Sequence, residues 1–133
     1  MTNRELIDLA IKARGNAISP TKYMVGAAIE TANGNIFTGC NLGSEDALYD
    51  ICAERVAIYK MLSEGEKSIK RIAVVGGLEG EALRYTSPCG ICRQLILEFG
   101  NDIEVIMGWE EDGEIKEQVF KSQDLLPGGY SMN

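Results

Sequence analysis

RIAVVGG, residues 71–77, is a nearly continuous apolar run between two helical patterns. Such a run suits a strand buried on both faces, so layers must cover it on each side. The chain around it supplies them. Residues 2–16 read as an amphipathic helix, with Leu6, Ala10, Ala13 and Ala17 on one stripe and Ile7 and Ile11 beside it. Thr2 and Glu5 fit a capping box, and Gly15 and Pro20 end the segment. YMVGAAIE and NIFTGCN flank Asn33-Gly34, the pairing expected of a hairpin, and a polar loop follows over 41–51. A helix is expected from Cys52 to Glu64, with Gly65 just past its end. Residues 78–87 read as a loop. Ser87-Pro88 then opens a helix, with Pro88 in its first turn, and the helix runs to Phe99 before Gly100-Asn101. IEVIMGW (103–109), the acidic turn EEDGE and IKEQVF complete the strands, and 122–133 read as a tail.

The order is α-β-β-α-β-α-β-β. Helices between the central strands require some parallel pairing, while the first hairpin is antiparallel. The expectation is an α/β fold, a three-layer α-β-α arrangement around a mixed five-stranded sheet, with residues 1–133 as one domain. The second helix is apolar nearly all round: Ala53, Val56, Ala57, Ile58, Tyr59, Met61 and Leu62 leave little polar face. That pattern predicts burial on several sides, partly against another subunit.

Composition removes several function classes. Thirteen Lys+Arg stand against 20 Asp+Glu, a formal net charge of −7, and the basic residues form no run of three. A polyanion needs a basic footprint, so neither nucleic acid nor an anionic membrane surface is expected as a partner. No apolar run approaches the roughly 18 residues of a membrane span. The charged N-terminus, MTNRELIDLAIKARGN, lacks the apolar centre of a signal peptide, and a cytoplasmic location is expected. Histidine is absent, which excludes imidazole bases and His-ligated metals.

Four cysteines remain: Cys40, Cys52, Cys89 and Cys92. In a cytosolic chain, thiols clustered in sequence point to metal or catalysis rather than disulfides. Cys52-Ala53-Glu54 and Pro88-Cys89-Gly90-Ile91-Cys92 each open a helix. Cys89 and Cys92, three apart, lie on one face of a first turn. The positive end of a helix favours a thiolate. Two such ends could bring three thiolates to one Zn²⁺ and leave a fourth position open, as catalytic zinc sites do. Glu54, two residues after Cys52, points elsewhere on its helix. Beside the open position it could take a proton from zinc-bound water. A closed Cys₄ structural site with Cys40 is the plainer alternative; Cys40 otherwise reads as a buried thiol on a strand.

These motifs resemble the cytidine deaminase family, in its small form with three cysteine ligands and a P-C-x-x-C signature. KYMVGAA (22–28), G-x-I-F-T-G-C-N (34–41), ICAERVAIYKMLSEG (51–65), SPCGICRQ (87–94) and DLLPGGY (124–130) carry the likeness in family order. The resemblance implies one Zn²⁺ per chain on Cys52, Cys89 and Cys92, with Glu54 as proton shuttle. It implies that the Ala53 N–H and the Ser87 carbonyl touch the base, and that Asn41 binds a ribose hydroxyl. Tyr23 would pack near the nucleoside, and Tyr130 would stack on the base in a neighbouring subunit's site. Arg55 and Gln94 would support the ligands from behind. The implied reaction is deamination of free cytidine or 2′-deoxycytidine in pyrimidine salvage, by a homotetramer or a dimer.

One departure bears on the sugar. Where the family carries a ribose-holding Glu after G-C-N, this chain has Gly43 within N-L-G-S-E-D-A-L-Y (41–49). Glu45 is a candidate substitute. The 80–86 loop is also longer than usual. Gly43 favours a rival, an aminohydrolase of a modified cytosine nucleoside such as blasticidin S, whose deaminase is similar in size, zinc motif and LLP-x-G-Y ending; the Asn41–Cys52 spacing favours the cytidine type. A rival of another class is an inactive, zinc-stabilised binding or assembly module.

Overall fold

The computed structural model describes residues 1–132. Five strands form one sheet: β1 (Tyr23–Thr31), β2 (Ile36–Cys40), β3 (Ile69–Leu78), β4 (Glu104–Glu111) and β5 (Glu114–Lys121), in the spatial order β2-β1-β3-β4-β5. β1 runs antiparallel to both β2 and β3, β3 and β4 are parallel, and β4 and β5 are antiparallel. Helix α1 (Asn3–Arg14) covers one face. Helices α2 (Ala53–Ser63) and α3 (Gly90–Phe99) cover the other, with a short α4 (Ser122–Leu125) at its edge. The mixed sheet and three layers are those expected.

The pleat sorts the core. Ala27, Ile29, Ile72, Val74, Val105 and Met107 face α2 and α3, while Ala28, Ala73, Val75 and Ile106 face Leu6, Ile7 and Ala10 of α1. Successive strand residues point to opposite faces, so Ile72 to Gly77 are all buried. Residues 72–77 therefore carry no polar side chain, and the charge of Arg71 falls at the half-buried start of the run.

Local signals hold where partners are close in sequence. Thr2 Oγ1 accepts from Glu5 N at 3.1 Å, and Glu5 Oε1 accepts from Thr2 N at 3.0 Å. After α2, Gly65 is left-handed (φ +87°), and the N–H groups of Gly65 and Glu66 donate to Leu62 O and Met61 O. The Asn33-Gly34 hairpin forms with only Gly34 left-handed, its N–H closing on Thr31 O. Asp112 and Gly113, both at positive φ, make the tighter two-residue turn between β4 and β5.

Two boundaries differ from expectation. α3 begins at Gly90 with Cys89 as its N-cap, so Pro88 lies before the helix rather than in its first turn. The segment read as a tail contains α4, whose Leu125 is buried against the α2–α3 face. Four residues are too few for a helical period to show. On α2, Ala53, Glu54, Ala57, Ile58 and Met61 are buried, but Tyr59 and Leu62 remain 47% and 38% exposed. The apolar composition thus exceeds what one subunit buries.

Candidate active site

The close approach of α2 to β2 sets the site. A Cβ on Gly39 would stand 2.6 Å from Ala53 O and 2.7 Å from Ala57 N, so only glycine lets the helix rest on the strand there. Cys52 then caps α2 and Cys89 caps α3, both with extended backbone and neither with a side-chain capping bond. Their thiols are free to meet. The Sγ atoms of Cys52, Cys89 and Cys92 all lie within 4.8 Å of one another, and those of Cys52 and Cys89 are 3.7 Å apart.

These residues fit zinc. Tetrahedral zinc with Zn–S bonds of about 2.3 Å places its sulfurs about 3.8 Å apart. Arg55 provides independent support. Its Nη2 lies 3.8 Å from Cys52 Sγ, while its Nε is buried with no partner among the described residues. Three thiolates on Zn²⁺ carry a net charge of −1, and an adjacent guanidinium offsets it. Cys40 lies outside the thiol group among the described residues, so the three-ligand arrangement is favoured over a closed Cys₄ site.

Electrostatics separate the acid from the thiols. Glu54 is only 4% exposed. Burial pushes its carboxyl above the usual value, and its own backbone N–H, Cys92 and Arg55 offset this only in part. Burial also raises the thiols of Cys52 and Cys92, with the Glu54 charge adding at Cys92. Burial opposes ionisation at Cys89 too, but the N–H groups of Cys92 and Ile91 and the neighbouring thiols outweigh it, so that thiol falls below its ordinary value. A bound divalent cation makes all three thiolates the stable form.

A cavity of about 470 Å³ opens above this cluster and is lined by Cys52, Ala53, Glu54, Cys89, Asn41 and Ser87, among others. Ala53 is the first residue of α2, so its N–H has no intrahelical partner. The Asn41 amide bridges to β1: Oδ1 accepts from Val25 N at 2.8 Å and Nδ2 donates to Tyr23 O at 2.9 Å. One amide hydrogen and one lone pair remain for a ligand. Tyr23 does not line the cavity; its hydroxyl lies 2.6 Å from that of Thr86, which does. Gln94 does not reach the thiols. Its amide pairs with the backbone of Tyr130 in both directions, at 2.7 and 3.2 Å. Tyr130 is 66% exposed and outside its own chain's cavity. Glu45 also lies outside it, whereas Gly43 lines it.

Sequence reasoning passed over Arg93. Its Nε donates to Pro88 O at 2.7 Å, Nη1 to Leu125 O at 2.9 Å and Nη2 to Ser87 Oγ. One guanidinium thus joins the loop before α3 to α4. The only available signal was its place directly after Cys92. Thr86 and Asp50 also line the cavity, and neither carries a motif.

Residues 1–108 match the family model described as cytidine and deoxycytidylate deaminase zinc-binding region. The chain is 40% identical over 134 residues to a cytidine deaminase of Sporosarcina psychrophila, covering 98% of this chain and 93% of the relative. It is 29% identical over 133 residues to a blasticidin-S deaminase of Bacillus cereus, covering 97% and 92%. The crystal structure of cytidine deaminase from Burkholderia pseudomallei superposes with a TM-score of 0.82 at 36% identity, covering 98% of this chain and all of the other.

Proposed function

The chain belongs to the cytidine and deoxycytidylate deaminase zinc-binding family, and from that premise we propose that its cavity hydrolyses cytidine and 2′-deoxycytidine to the uracil nucleosides and ammonia. The observation that carries this reading is the buried acid Glu54 in one cavity with a zinc-competent thiol trio.

Zinc held by Cys52, Cys89 and Cys92 supplies a Lewis acid that acidifies water. Glu54 takes the proton of the attacking water as oxygen adds to C4 of the base, and delivers it to N3. A second proton passes through the same carboxylate to the amino group, which leaves as ammonia. The raised basicity of buried Glu54 suits a group that must both accept and release a proton. The free Ala53 N–H and the Ser87 carbonyl hold the base, and Asn41 offers its remaining amide capacity to the sugar. Arg55 balances the thiolate charge.

Arg55 is also the only cation lining the cavity among the described residues, and its guanidinium faces Cys52. That supports an uncharged nucleoside rather than a nucleotide. The acidic balance of the chain, −7, supports free substrate over nucleic acid. The reading extends to a cytoplasmic salvage enzyme. Among the described residues no helix is long and apolar enough to cross a membrane. It extends also to a homotetramer, supported by exposed Tyr59 and Leu62 and by Tyr130 held away from its own cavity. Blasticidin S as substrate draws support from Gly43 and the 29% relative, and ranks below cytidine, whose relative is 40% identical.

The test is ammonia release from cytidine, deoxycytidine and blasticidin S, with zinc counted per chain. Glu54→Gln should retain zinc and lose on the order of 10²–10⁴ in kcat. Zinc-loaded wild type that releases no ammonia from any of the three would support the inactive module instead.

A further inference from the structure

The loop that departs from the family pattern is closed by a short ladder. Leu42 N donates to Ile51 O at 3.1 Å and Ile51 N to Leu42 O at 2.9 Å. Gly43 and Asp50 are therefore the next facing residues, and both line the cavity. The Gly43 N–H is held by Ile18 O at 2.8 Å. A Cβ on residue 43 would stand 3.3 Å from Asp50 Oδ1. The Asp50 carboxylate thus borders the space that a side chain at 43 would enter.

Asp50 is exposed, and one of its carboxylate oxygens is held in place. Ser44 N donates to its Oδ1 at 2.9 Å, leaving Oδ2 without a protein partner among the described residues. None of the ion pairs among the described residues involves it. Glu45 borders a different depression, on the outer side of the loop with Tyr49 and Glu79. The cavity lining thus combines the thiols and Glu54 with the Asn41 amide and a second carboxylate, Asp50.

We propose that Asp50 is the sugar-reading residue of this site. Its carboxylate accepts hydrogen bonds from the sugar hydroxyls, and its charge turns away nucleotides bearing a 5′-phosphate. Gly43 is the space that makes this possible. The proposal rests on the cavity's reading as a nucleoside site. A hydroxyl-to-carboxylate hydrogen bond is among the stronger ones a neutral ligand can make. A carboxylate outside any ion pair discriminates against a dianionic phosphate by repulsion, and among the described residues lining the cavity the only cation, Arg55, faces Cys52.

Binding can be measured without turnover. Zinc-loaded Glu54→Gln and Glu54→Gln/Asp50→Asn proteins would be titrated calorimetrically with cytidine, 2′,3′-dideoxycytidine and cytidine 5′-monophosphate. Asparagine keeps the volume and an acceptor for Ser44 N. Losing a charge-assisted bond should weaken cytidine about tenfold, leave dideoxycytidine within about twofold, and shrink the preference for cytidine over its monophosphate. Cytidine affinity unchanged by Asp50→Asn, or an unchanged discrimination against the phosphate, overturns the proposal. Ammonia release by wild type is the separate arm. Nucleoside binding that depends on Asp50, without deamination, leaves the assignment standing and brings down the proposed activity; no nucleoside binding overturns both.

Discussion

The hydroxyl of Tyr23 lies 2.6 Å from Thr86 Oγ1, and Thr86 sits over Gly76, where a Cβ would stand 2.6 Å from the same oxygen. Thr86 Oγ1 donates to Arg84 O at 3.1 Å, so Tyr23 is the donor to Thr86. β1 and β3 thus hold the residue just before Ser87. Tyr23→Phe keeps the ring and removes this bond. It should cost about 1 kcal/mol in stability and lower kcat/KM for cytidine severalfold, through KM more than kcat. Thermal denaturation and steady-state kinetics together check it. Wild-type values on both would show that the bond does not position the Ser87 loop.

Removing zinc should do more than stop turnover. Without a cation, burial favours protonated thiols at Cys52 and Cys92, and the junction of the two helix N-termini loses its bridge. Chelation should lower the melting temperature and release protons on re-addition of zinc, because the ligands bind as thiolates. Cys92→Ser should give the same lowered melting temperature without chelator. Calorimetry in buffers of different ionisation enthalpy reads the proton count; a zinc-independent melting temperature would refute the coupling.

Arg93 should tolerate no substitute. Its fork reaches Pro88 O, Leu125 O and Ser87 Oγ, which belong to two separate segments. Arg93→Ala should destabilise by roughly 2–3 kcal/mol, the scale for hydrogen bonds from a charged donor. Arg93→Lys should recover little, since an ammonium cannot serve three partners set around a planar guanidinium. Denaturant titration of the two variants decides this, and full rescue by lysine would count against the fork.

Acid sensitivity should trace to Glu30. The hydrogen bond from Arg71, at 2.6 Å, holds the Glu30 carboxyl below its ordinary 4.5, against the opposing pull of burial; Lys70 also helps. Because the folded value lies below the unfolded one, the pair stabilises fully above pH 4.5 and is lost as pH falls through the folded value. Glu30→Gln should lower stability near neutrality by roughly 2 kcal/mol, since it removes the charge paired with a mostly buried guanidinium whose other partners, Asn3 Oδ1 and Met1 O, are neutral. It should also flatten the fall in melting temperature below pH 4.5. An unchanged acid slope would place the sensitivity elsewhere.

Much of the fold was legible because its signals act over a few residues. The Thr2–Glu5 box, the Gly65 stop and the Asp112-Gly113 turn are satisfied within four positions. The run 71–77 declared its burial because pleating exposes both faces to the core. The zinc trio and Glu54 were legible for a related reason: a helix start and an i, i+3 spacing orient these side chains before any tertiary contact forms.

Other assignments depended on closure between distant segments. Gln94, expected behind the thiols, instead anchors Tyr130, because the C-terminal segment returns beside α3. Glu45 was the nearer substitute for a residue at 43 in sequence, but the Leu42–Ile51 ladder brings Asp50 to that place. Arg93 showed its importance only once Leu125 folded beneath it. Periodicity and capping are local, and so the sequence by itself determined the strands, the three longer helices, their faces and the zinc-competent cysteines, but not α4. Which loop residues share the cavity wall was set by packing alone, since hydrogen bonds between segments far apart in sequence exist only after the sheet and helices have brought them together.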